Sequence, residues 1–229
     1  MKTIGLIGGI TWVSTIEYYS VINSEFSKRL GGNNSANIIM HSVNFGEYKQ
    51  LADEGNWQEI GTRLNGIAKK LESAGADLFI ICSNTPHRVA PDVIKGINIP
   101  FIHIAEVTAK EIAGVNLKKV GLLGTKFTME EQFYKEKLAE HQIETVIPEA
   151  GEREFIHNSI FNELAKNIFK DETRSAFIKI INNLIAKGAQ GIILGCTEIP
   201  LLIKQEDSSV PVFDTTLIHA HAAVELALT

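Results

Sequence analysis

Two short stretches carry the side chains best suited to moving a proton. Cys82-Ser83-Asn84-Thr85 follows the apolar run DLFII, and Gly195-Cys196-Thr197-Glu198 follows GIIL. In each, a sulfur or hydroxyl leads small hydrogen-bonding residues where a strand should end. Such a turn presents backbone N–H groups, and a helix beginning there would favour a bound carboxylate. The same surroundings lower a thiol's pKa and make a thiolate available. A free cysteine also packs as a small apolar residue, so each sulfur has an inert reading as well.

Positioning these turns requires regular elements around them. Strand-length apolar runs occur at 3–8, 37–42, 77–82, 101–104, 119–124, 145–148, 191–196 and 211–214. Helical patterns lie between them, near 13–30, 57–74, 104–114, 129–140, 152–167, 171–187 and 215–228. Most strand runs are continuously apolar, as expected when both faces of a sheet are covered. Gly75 and Gly188 stand where a helix should stop before a strand. The alternation predicts an α/β fold with parallel sheets.

The chain also repeats itself. LESAGADLFIICSNT (71–85) returns as LIAKGAQGIILGCTE (184–198), 113 positions later. IGLIG (4–8) matches VGLLG (120–124), and IPFIH (99–103) matches VPVFD (210–214), in the same order. Three collinear matches at nearly constant offset predict two similar halves. Facing halves of this kind would bring equivalent strand ends to one cleft, where ligands of open α/β sheets bind. The repeat also sets a register. Cys196 aligns with Ser83, and Cys82 aligns with Gly195. Neighbouring residues on a strand point to opposite faces. If Cys196 faces the ligand, Ser83 should face it too, and Cys82 should point elsewhere.

Composition excludes several classes. Twenty-two basic against 27 acidic residues give a net charge of -5, which argues against a nucleic-acid surface. No apolar run approaches the ~18 residues of a membrane span. The start, MKTIGLIGGITW, is glycine-broken with no small-residue cleavage site, and reads as a first strand. Two cysteines do not make a disulfide scaffold, so a reduced cytoplasmic setting is expected. GLIGG lacks the dinucleotide spacing, NIIMHSV ends without an acidic residue, and no phosphate-binding G-x-x-x-x-G-K-[ST] loop is present. His219 and His221 are two apart and would not share a helix face. No lysine sits in a recognisable pyridoxal-phosphate context. The expectation is no metal and no organic cofactor.

Across its length the chain resembles the aspartate/glutamate racemase family of cofactor-independent amino-acid racemases. The resemblance rests on GLIGGITWVSTIEYY, HSVNF, SNTPH, IPFIHIAE, LLGTKFTM and LGCTEIPLLI. It implies two pseudo-symmetric α/β domains, each a mainly parallel sheet flanked by helices, with the active site between them. It also implies that the late strand and C-terminal helix return to the first domain. The domains expected are 1–99 plus 207–229, and 100–206. Members of the family look commonly dimeric, so a homodimer is expected. In the family, two cysteines act as bases on opposite faces of the substrate's α-carbon. Carried over, Cys196 takes one position. The other, directly before Asn84-Thr85, is Ser83 rather than cysteine. That departure agrees with the register of the repeat, and some family members that prefer acidic amino acids look similar, with threonine there.

Removing an α-proton beside a carboxylate needs preorganised donors for the developing charge. Asn84, Thr85 and Thr197, with turn N–H groups, are candidates to hold the α-carboxylate, and Thr125 could add a donor. The resemblance suggests that Lys166 meets a substrate side-chain carboxylate; a solvated helix lysine is the plain reading. Thr11, Trp12 and Ser14 follow the first strand and either line the pocket or, for Trp12, pack. Glu198 either contacts the α-ammonium or binds backbone donors. His87 looks, within the family, like a support for the turn, with Cys82 nearby. The expected function is racemisation of aspartate, glutamate or a related amino acid. The alternatives are a one-cysteine decarboxylase or dicarboxylate isomerase, and a non-catalytic metabolite-binding protein.

Overall fold

Seven short strands form two separate parallel sheets. The computed structural model describes residues 1–229. The chain divides into two units, 1–103 with 219–229, and 104–218. In the first unit, β1 (Ile4–Gly8), β2 (Ile38–Ser42) and β3 (Leu78–Ile81) pair in the order β2-β1-β3. In the second, β4 (Lys119–Gly124), β5 (Glu144–Val146), β6 (Ile192–Gly195) and β7 (Val212–Asp214) pair as β5-β4-β6-β7.

The repeat read from sequence is a repeat of pairing. Gly5 opposite Phe79 in the first sheet returns as Gly121 opposite Ile192 in the second. The isolated bridge between Phe79 and Phe101 returns as the pairing of Ile192 with Val212.

Side-chain parity along each strand decides which core it builds. Ile4, Leu6, Leu78, Ile80 and Cys82 pack against Tyr18, Ile22 and Phe26 of helix Trp12–Leu30 and against Ala220, Ala223, Val224 and Ala227 of helix Thr215–Leu228. The opposite parity, Ile7, Phe79 and Ile81, packs against Ile60, Leu64, Ile67 and Leu71 of helix Trp57–Ser73. In the second unit, Val120, Leu122 and Ile193 meet helices Ile104–Gly114 and Gln132–Glu140. Leu123, Ile192, Leu194 and Cys196 meet helices Ala150–Asn162 and Asp171–Ala186. Gly75 (φ 97°) and Gly188 (φ 91°) end the helices before β3 and β6 in left-handed conformations that side-chain-bearing residues avoid.

Four expectations are corrected. FIHI (101–104) is not a strand: only Phe101 bridges to Phe79, and Ile104 opens a helix. The domain boundary at 207 falls too early, because β7 hydrogen-bonds to β6 and so stays in the second unit; the first unit regains the chain only at His219. The segment 129–140 is broken, with helix Lys126–Glu130 before Gln132–Glu140, and 152–167 is helix Ala150–Asn162 followed by the 3₁₀ turn Leu164–Lys166. A helix at Phe45–Asp53 went unread, although Asn44 caps it by accepting from Gly46 N at 3.1 Å. No helix is long and apolar enough to cross a membrane.

Candidate active site

Strand β3 ends at Ile81, and the chain turns at once. Cys82 N donates to Ile7 O at 2.9 Å, and Ser83 N folds back to Ile81 O at 2.8 Å. Cys82 keeps the parity of Leu78 and Ile80. Its sulfur is fully buried in their core, and burial pushes the thiol well above its ordinary value. Ser83 stands in the turn and is partly buried. Asn84 is buried and Thr85 partly so.

The turn is braced from behind. His87 N donates to Asn84 O at 3.0 Å, and His87 Nδ1 lies 3.2 Å from the same oxygen, which makes that nitrogen the donor. His87 is buried, and its imidazole is held neutral: burial lowers its pKa, and His103 and His219 lower it further. The His87 ring stands edge-on to His103, with centroids 4.7 Å apart, and to His219 at 5.5 Å. His219 Nε2 is 2.9 Å from Ile102 O, and its Nδ1 is 2.8 Å from the Tyr18 hydroxyl. Only Nε2 can donate to a carbonyl, so Nδ1 accepts from Tyr18. Sequence reasoning did not join these three histidines to one another. His219 lies more than a hundred residues from the other two, and the adjacency of β3 and the C-terminal helix in one core brings it to them.

The β1 end is similarly tight. Thr11 is buried; its carbonyl accepts from Ser14 Oγ at 3.1 Å and Thr15 Oγ1 at 2.8 Å, and Thr15 Oγ1 accepts from Gly9 N at 2.8 Å. Ser14 Oγ also reaches Cys82 O at 3.3 Å, linking the two strand ends of this sheet. Trp12 instead stands 55% exposed and lines a surface hollow of about 410 Å³ with Ile16, Tyr19 and Met40. It is not a core residue.

In the second unit, β6 delivers Cys196 with the parity of Ile192 and Leu194, at the position that the repeat aligns with Ser83. Gly195 before it is required by space: a Cβ there would lie 2.6 Å from Leu123 O. Cys196 is 7% exposed, and its Sγ donates to Glu198 Oε2 at 2.9 Å. Thr197 Oγ1 donates to the same oxygen at 3.2 Å. Glu198 itself is buried and makes no side-chain cap to helix Ile199–Leu202. Burial first, and then the Glu198 charge, hold the Cys196 thiol well above its ordinary value. Burial and the Glu198 carboxylate thus favour the thiol form of Cys196, against the low-pKa thiolate expected from the turn. Nor does a long helix begin at either turn. Thr85–Val89 is a 3₁₀ turn, and Ala90–Val93 and Ile199–Leu202 have four residues each, too short to build much of a macrodipole. Thr125 is buried and spends its hydroxyl capping helix Lys126–Glu130, accepting from Thr128 N at 3.3 Å. Lys166 is exposed at the end of the turn Leu164–Lys166.

Two like-ordered parallel sheets, one strand of each ending in a small polar turn, with Ser83 in one and Cys196 in the other, define the class. The chain belongs to the Asp/Glu/Hydantoin racemase family, whose model matches residues 7–223. A Yersinia pestis structure provisionally assigned as an Asp/Glu racemase is 46% identical over all of both chains, with a TM-score of 0.93. An aspartate racemase homologue from Pyrococcus horikoshii is 39% identical over all of both chains, with a TM-score of 0.86. The glutamate racemase of Fusobacterium nucleatum is 27% identical over 212 residues, covering 84% of this chain and 78% of that protein. The protein is thus an isomerase of the amino-acid racemase class.

Proposed function

We propose that the protein racemises aspartate, glutamate or a closely related amino acid without a cofactor, with Cys196 as one base and Ser83 at the other catalytic position. The observation that carries this reading is the equivalence of the two strand ends. Ser83 and Cys196 follow equivalent strands, in sheets of the same order and register, at aligned positions of the repeat. A proton leaves Cα toward one of them and returns from the other. The carbanion needs donors at the α-carboxylate. Asn84, Thr85 and Thr197 are the small polar residues at the two turns, and Lys166 is the cation assigned to a side-chain carboxylate. Names of relatives support acidic substrates, since aspartate and glutamate racemases are among them. A homodimer in the reduced cytoplasm, where both cysteines stay unpaired, completes the proposal.

Incubating the protein with each enantiomer of aspartate and glutamate in deuterated water tests it. The expected result is α-deuterium in both enantiomers on chiral analysis. Absence of α-deuterium from every amino acid tried would reject racemisation. One observation favours a second reading. Burial and Glu198 favour the thiol form of Cys196 and Ser83 is a weak base, and a single thiol suffices to protonate the carbanion left by decarboxylation of a malonate-like acid. Carbon dioxide release from such acids, without exchange at amino acids, would select it.

A further inference from the structure

The free edge of the first sheet carries a hollow of about 410 Å³, walled by β2 and the turn after it on one side and by helix Trp57–Ser73 on the other. β1 stands between β2 and β3, the strand that leads to Ser83. Donors outnumber acceptors on its walls. His41 keeps the parity of Ile39, which packs toward that helix, and Arg63, Gly66 and Lys70 follow at helical spacing opposite. Glu47 is the one carboxylate in the lining, and both its oxygens are taken, Oε1 by Asn44 Nδ2 at 3.2 Å and Oε2 by Arg63 at 3.3 Å. Arg63 also gives its Nε to Glu59 at 2.7 Å and keeps further N–H groups unused. Neither the Lys70 ammonium nor the His41 imidazole has a partner. Tyr48 is only 7% exposed, yet its hydroxyl makes no hydrogen bond. That hydroxyl lies in the fields of Arg63 and Glu47, which sets it at the hollow. A buried hydroxyl without a partner is costly, and a ligand can supply one. Gly66 is the second anomaly, because glycine weakens a helix interior. Gly61 in the same helix has a packing reason: a Cβ there would lie 2.9 Å from Asp92 Cβ. A Cβ on Gly66 would meet nothing within 4 Å, so its bareness serves only to keep the hollow open.

We propose that this hollow is a second binding site, for a small oxyanion: a metabolite bearing a phosphate or a carboxylate. Lys70 and the unused N–H groups of Arg63 meet the negative charge, and charge-assisted bonds of this kind are the strong ones. Tyr48 donates the hydroxyl that the protein leaves unpaired, and His41 closes the strand side. Asn44 leads into helix Phe45–Asp53, so the positive end of that helix's dipole adds to the field. The volume falls in the range of small-molecule pockets. None of these residues belongs to the turns that carry Ser83 and Cys196, so the site is separate from racemisation.

Titration of the isotope-labelled full chain, followed amide by amide in NMR spectra, tests this. The probes are inorganic phosphate and succinate, with chloride at matched ionic strength as the control. Saturable shifts are expected at 41–48 and 63–70, with a Kd of about 0.1 to 5 mM. The probe that binds more tightly tells which of the two groups the site prefers. Lys70→Gln should weaken binding about fivefold or more, and Tyr48→Phe, which keeps the ring packed, about three- to tenfold. Gly66→Leu, which fills the hollow with side chain, should abolish it. Exchange of amino-acid α-protons should be the same in Lys70→Gln as in the wild type, and a lower rate there overturns the separation of the two sites. No saturable shift at those amides with either probe at about 20 mM overturns the inference. So does an affinity unchanged in both Lys70→Gln and Tyr48→Phe, or an equal response to chloride, each of which marks an adventitious ion only. Succinate shifts confined to the turns at Ser83 and Cys196 would report the racemase site alone and would likewise count against the hollow.

Discussion

The two cysteines of this chain differ because of one residue of strand parity. Cys82 shares its face with Leu78 and Ile80 and lies wholly inside their core, while Cys196 has a carboxylate and a hydroxyl at its turn. Cys196→Ala should therefore abolish racemisation. Cys82→Ala should keep most of it and lose about 1–2 kcal/mol of stability, the scale of removing a few buried atoms. Chiral assays and urea melts of both variants check this. Equal, severe loss of activity in two folded variants would contradict the parity argument.

At the level of elements, glycine sets how closely β4 and β6 can end. A methyl on Gly195 would lie 2.6 Å from a backbone carbonyl and 2.9 Å from Leu122 Cδ1. Gly195→Ala should cost roughly 1–3 kcal/mol as the strands shift, and should lower exchange by moving Cys196. A denaturation midpoint like the wild type's would refute it. Much of this layer was legible in the sequence. The strands were continuous apolar runs, and Gly75 and Gly188 marked helix ends. The helix Phe45–Asp53 was hidden because it is short and carries one buried residue, Tyr48, so it shows little periodicity. Asn44 with Glu47 three residues on was the available signal. FIHI is apolar enough for a strand, but nothing local says that it makes a single bridge. The partner of VFD was written in the repeat: Phe101 bridges Phe79 as Val212 pairs with Ile192. Ser83 and Cys196 followed from alignment of the halves. The Cys196–Glu198 contact did not, since it depends on how a three-residue turn folds its side chains.

Over the molecule, the first unit depends on buried histidines that must stay neutral. His219, between Tyr18 and the Ile102 carbonyl, has a pKa lowered from 6.5 to about 3, by burial and then by His103. His87 is lowered as well. Below the unfolded value, the unfolded chain binds a proton that the folded one refuses. Stability should hold above pH 6.5 and decline as pH falls from there toward about 3. His219→Phe should be less stable at neutral pH, having lost two hydrogen bonds. Its urea midpoint should nevertheless fall less than the wild type's between about pH 7 and pH 5. Parallel slopes would assign the acid sensitivity elsewhere. The same helix that carries His219 sets the order in which the chain can mature. Ala220, Ala223, Val224 and Ala227 complete the core begun by β1 and β3, whereas residues 104–218 hold a contiguous unit of their own. On the ribosome, residues 1–103 must wait with their core open until 219–229 have been made, and 104–218 can finish folding before them.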